Sequence, residues 1–163
     1  TFLLDVPMCR ETAALSKLEN DFATEGVRRR PLLVPLTMVV SIKDVDFIES
    51  KASVFESFGL KIERVAPDSL LIREIPLLLE YADITSLIND MMPLIKSGKS
   101  NNEIIAMMSG HVNDAGLIKI DVQMATQLLA EVRSSYQDLS GAKKMAWQML
   151  DSKTLSVLLK RKI

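Results

Sequence analysis

Two apolar runs set the terms on which this chain can fold: Pro31-Leu32-Leu33-Val34-Pro35-Leu36-Thr37-Met38-Val39-Val40 and Ser69-Leu70-Leu71-Ile72-Arg73-Glu74-Ile75-Pro76-Leu77-Leu78-Leu79. Between them lies an amphipathic stretch. Ser41 with Asp44 three residues on has capping-box spacing, and Val45, Ile48, Ala52 and Phe55 then recur at helical period. Gly59 supplies a left-handed stop. Leu60 to Val65 and Ser69 to Ile75 read as short strands rich in branched residues, joined by the turn dipeptide Pro67-Asp68. The prediction is strand, helix, hairpin.

Elements continue on both sides. Thr1-Phe2-Leu3-Leu4-Asp5 reads as a strand already under way, not as a signal peptide, so a piece of a longer protein is expected. Pro7 suits the first turn of a helix that carries Ala14, Leu15, Leu18 and Phe22 on one face and ends near Asp21. Thr24 to Arg30, with a glycine and three consecutive arginines, reads as a linker. Asp83 can cap a helix with Leu87, Ile88, Met91, Met92 and Ile95 inward, kinked or divided by Pro93. Asn101 or Asn102 starts a short helix through Ile104, Ile105 and Met108, and Asn113-Asp114-Ala115-Gly116 is a loop. Asp121 caps a helix with Ala125, Leu128, Leu129 and Val132 at core-stripe spacing. Met145, Trp147 and Met149 alternate as in a strand, and Ser152 starts a last helix bearing Leu155, Leu158 and Leu159 and closed by Lys160, Arg161 and Lys162.

The small units at the two ends cannot bury their own apolar faces, whereas Pro31 to about His111 already holds a plausible core. The expected fold is therefore α+β, with two subdomains, the second inserted into the first and each a small sheet packed with helices. Residues 1–29 and 113–163 form the split subdomain and residues 30–112 the insertion.

Composition narrows the function. Twenty basic against 21 acidic residues leave no global field to hold nucleic acid by counterion release. A hydrophobic share of 48% with 25% charged residues and a mean hydropathy of +0.17 favours a buried self-interface, with a well-filled core as the alternative. One cysteine, Cys9, excludes an internal disulfide and fits a reducing compartment. No 18-residue apolar run is present, so no membrane span is expected. Gly-rich phosphate loops are lacking, and a single histidine, His111, serves neither a triad nor a His-rich site.

The order and wording of these elements, above all from Arg30 to Ile95, resemble the C-terminal domain of the DNA mismatch repair MutL family, a dimerisation and docking module. The resemblance also implies the inserted-subdomain arrangement. In members that nick DNA, a metal site includes Asp-Gln-His-Ala followed by Glu after two residues and another Glu after four more. Here the segment is Asp5-Val6-Pro7-Met8-Cys9-Arg10-Glu11, with Ser16 at the second glutamate position. The short Ala-Cys-Arg or Ala-Cys-His segment falls at Ser109-Gly110-His111, and the Cys-x-His-Gly-Arg-Pro-like one near Asp138-Leu139-Ser140-Gly141-Ala142-Lys143. Asp5 and Glu11 survive, but two isolated carboxylates do not hold a catalytic cation. No catalytic residue, metal or cofactor is expected, and this part is not an enzyme. The family's ATPase lies in the other half.

The resemblance further implies that Arg30-Pro31-Leu32-Leu33-Val34-Pro35-Leu36 matches a segment that usually starts with Gln and resembles peptides bound by the replication sliding clamp. Leu32, Leu33, Val34 and Leu36 keep its apolar part, while Arg30 replaces an amide that can accept as well as donate. An ordinary buried strand is the alternative. Arg28-Arg29-Arg30, Lys143-Lys144 and Lys160-Arg161-Lys162 could make weak, non-specific contact with DNA phosphates, though no aromatics interleave to stack bases.

For the dimer, Met145, Trp147, Met149, Leu155, Leu158 and Leu159 are the candidate interface residues; the same stripe would serve equally to close the core. The expected function is a homodimerisation and protein-docking domain of bacterial mismatch repair, cytoplasmic and nucleoid-associated during repair. It would tether two ATPase halves and connect mismatch recognition by MutS to a MutH-type endonuclease, a repair helicase and the sliding clamp. The rivals are a degenerate metal-dependent endonuclease that nicks DNA and an unrelated monomeric ligand-binding domain.

Overall fold

The structure is a computed structural model that describes residues 2–115, 121–138 and 147–149, with side chains for 5–115 and 121–134. In chain order it runs β1 (Phe2–Leu4), α1 (Val6–Thr24), β2 (Arg29–Val39), α2 (Ile42–Ser50), α3 (Ala52–Ser57), β3 (Lys61–Ala66), β4 (Ser69–Pro76), α4 (Ile84–Lys96), α5 (Asn101–Gly110), α6 (Val122–Asp138) and β5 (Trp147–Met149). The class is α+β, with both sheets antiparallel. The described residues fall into two compact units, one drawn from Thr1–Ala13 and Lys119–Ile163, the other from Ala14–Ile118.

In the second unit the strand order is β2-β4-β3. Leu70 and Ile72 of β4 and Met38 of β2 point into the core, while Thr37 and Arg73 face outward, so one face of the sheet is covered. Val45, Ile48 and Phe55 cover it, with Leu87, Ile88 and Met91 of α4 and Ile104, Ile105 and Met108 of α5 in the same cluster. Leu18 of α1 is buried there too, and Phe22 stacks on Phe58 at 4.9 Å between ring centroids.

Local signals placed most boundaries. Ser41 Oγ accepts from the Asp44 N–H at 3.2 Å and donates to its carboxylate at 2.7 Å, and Asp83 accepts from the Ser86 N–H at 3.1 Å. Gly59, at φ +84°, ends α3 as its position implied.

Four expectations need correction. The helix after Ser41 is two, parted at Lys51, whose φ of −114° and ψ of 19° leave the helical region. Pro93 does not divide α4, because it stands in the last turn, three residues before Lys96, where a single lost backbone bond is tolerated. α1 continues three residues past Asp21, with the Thr24 hydroxyl donating back to the Asn20 and Asp21 carbonyls. Ser100, not an asparagine, caps α5.

In the first unit β1 pairs with β5 in the register Phe2↔Met149, Leu3↔Gln148 and Leu4↔Trp147. Asp5 caps α1 there, accepting from the Met8 N–H at 3.0 Å, and Asp121 caps α6 through the Met124 N–H at 2.7 Å. Cys9 and Val132 are fully buried with Met8 and Leu128 against them. Ala125 and Leu129 of the expected stripe are half-buried. No helix among the described residues is long and apolar enough to cross a membrane.

Candidate functional site

The segment Arg30 to Leu36 lies in β2, an edge strand, and does not pair regularly. Arg29, Arg30 and Pro31 face Pro76, Ile75 and Glu74, and the register resumes only at Leu36 opposite Ile72. Leu32, Leu33, Val34 and Pro35 therefore stand opposite the single residue Arg73, forming an extended bulge. The two prolines explain the position, since neither can donate to a ladder and both are tolerated at an edge or a bulge. Leu32 turns inward against the core, but Leu33 is 98% exposed, Val34 80% and Leu36 38%. An ordinary buried strand does not describe this geometry.

The bulge is fastened at its root. Arg30 donates from its guanidinium to the Glu80 carboxylate, in the turn beyond the 3-10 stretch Leu77–Leu79. Arg28 holds Asp21 at 3.0 Å, and Arg29 Nε lies 2.7 Å from Glu74 Oε2, close enough for an ion pair but outside hydrogen-bond geometry. Each arginine of the run thus already faces a carboxylate of its own chain. Sequence reasoning found the run but missed its partners, because Glu74 and Glu80 lie 45 and 50 residues away.

Three of the positions matching the family's metal motifs, Asp5, Cys9 and His111, are engaged in other ways. Asp5 caps α1, and Cys9 is buried beneath the same turn. Burial, followed by the nearby Asp5 charge, pushes the Cys9 thiol up to about 11, so at neutral pH it is a protonated thiol. His111 is buried between two carboxylates, with Nδ1 2.7 Å from Asp114 and Nε2 3.1 Å from Asp90. Asp114 also accepts from the Asp83 N–H at 3.0 Å. This places the residues after α5 against both the cap and the second turn of α4. Among the described residues no group of three or more His, Cys, Asp or Glu side chains is placed to hold a cation.

Of the candidate interface residues, Trp147 and Met149 lie on β5, whose backbone alone is described. Met145, Leu155, Leu158 and Leu159 lie outside the described residues, as do the basic clusters Lys143-Lys144 and Lys160-Arg161-Lys162. The same unit exposes Val122 and Met124 on the first turn of α6.

Comparison with known proteins gives a consistent result. A family model described as the MutL C terminal dimerisation domain matches residues 1–117. The DNA mismatch repair protein MutL of Pseudomonas aeruginosa strain LESB58 is 35% identical over 116 residues, covering 67% of this chain and 18% of the relative. Proteins of the same description from Cellvibrio japonicus and Pseudomonas fluorescens are 29% and 30% identical over 140 and 149 residues, covering 82% and 87% of this chain and 22% of each relative. The chain thus spans about a fifth of the length of the curated relatives it matches.

Proposed function

From the premise that this chain belongs to the MutL C-terminal dimerisation domain family, we propose that it is a non-catalytic homodimerisation and docking domain of DNA mismatch repair. The match of residues 1–117 to a dimerisation domain carries the reading. Self-association is assigned to the unit drawn from the chain's two ends, Thr1–Ala13 and Lys119–Ile163, through Met145, Trp147, Met149, Leu155, Leu158 and Leu159. The exposed Val122 and Met124 support that choice, since large apolar side chains left in water favour a partner. Burying one leucine contributes about 1.5–3 kcal/mol, so a few suffice for a stable dimer.

Joining two copies would hold the ATPase halves of the whole protein at high effective concentration, so that nucleotide controls their closure. The inserted subdomain, residues 30–112, is assigned to docking, with Leu33, Val34 and Leu36 entering an apolar groove of the replication sliding clamp while Arg30 and Leu32 tie the segment to its own unit. The near-complete exposure of Leu33 and Val34 supports this, because an extended segment with free aliphatic side chains is what such a groove accepts. MutS, a MutH-type endonuclease and a repair helicase complete the proposed partners, in the bacterial cytoplasm at the nucleoid. Phosphate contact is not assigned to Arg28, Arg29 or Arg30, whose charges are paired within the chain. Strand cutting is left to a separate endonuclease, a reading supported by the engagement of Asp5, Cys9 and His111 in capping, burial and carboxylate contacts.

Sedimentation across a concentration series tests the dimer. The protein is expected to hold together at micromolar concentration and to separate when Leu155 and Leu158 are changed to Glu. A wild-type monomer there overturns the reading, and a variant that stays dimeric moves the interface elsewhere. Nicking of supercoiled DNA with manganese would restore the endonuclease alternative.

A further inference from the structure

We draw no further inference here: the strongest candidate, the exposed apolar edge strand β2 with Leu33, Val34 and Val39 in solvent, carries nothing because nothing in the structure shows what covers it.

Discussion

Ser100 and Glu103 cap each other. The Ser100 hydroxyl accepts from the Glu103 N–H at 3.3 Å, and the Glu103 carboxylate accepts from the Ser100 N–H at 3.0 Å. Two backbone donors at the start of α5 are thereby satisfied, and the negative charge sits at the positive helix end. The Lys99 ammonium, first, and then the Ser100 backbone and hydroxyl hold the Glu103 carboxyl down from 4.5 to about 2.

Such a carboxyl, with a folded pKa below its unfolded one, adds stability above pH 4.5 and loses it as the pH falls toward 2. Glu103→Gln should therefore unfold at lower urea concentration than wild type at neutral pH, with the gap closing through that acid range. A gap that stays constant across it contradicts the ionic part of the cap.

His111 joins Asp90 and Asp114 through its two ring nitrogens while nearly buried. A hydrogen bond to a charged group is worth about 1.5–3 kcal/mol, so His111→Ala should lower stability by about 2 kcal/mol in urea titration. Asp90→Ala should cost less, because its carboxylate is largely in solvent. A His111→Ala protein as stable as wild type would remove this latch from the fold.

Gly59 and Gly98 separate backbone strain from crowding. Both have positive φ, +84° and +69°, but a Cβ on Gly59 would lie 3.2 Å from Val27 and 3.3 Å from Pro76, whereas one on Gly98 meets nothing within 4 Å. Left-handed strain alone costs about 1–2 kcal/mol. Gly98→Ala should show that loss, and Gly59→Ala should exceed it by about 1 kcal/mol or more in equilibrium denaturation. Equal losses would mean that β4 and Val27 move aside freely.

Phe58 is fully buried and stacked on Phe22, with 22° between the ring planes. Phe58→Ala should cost about 3–5 kcal/mol through lost burial and the cavity left behind. Since small domains hold only about 5–15 kcal/mol in all, partial unfolding at 37 °C is expected. Near-ultraviolet circular dichroism against temperature reads this directly, and an unchanged transition rules out close packing at this site.

The parts legible in the sequence are those whose cause lies within a few residues. Ser41 with Asp44, the Asp83 cap, the Pro67-Asp68 turn and the Gly59 stop each depend on contacts three or four residues apart, and all stand where the pattern placed them. Hydrophobic period likewise marked Val45, Ile48, Leu87, Ile88 and Met91 as core, because one buried face per helix is a local constraint. Periodicity did not say what each face would meet. On α1 the same kind of apolar residue serves two clusters, with Cys9 beside Val132 and Leu18 beside Phe58.

Only the tertiary structure decided the candidate docking site. As sequence, Pro31 to Leu36 is an apolar run that fits a buried strand as well as an exposed one. Its bulge exists because β2 is held to β4 at both ends in registers that do not match, and four residues must loop past one. Arg30 found Glu80, and His111 found Asp90, across 50 and 21 residues of chain. Charge pairing at that separation follows from where packing brings two elements together, and no spacing rule along the chain encodes it.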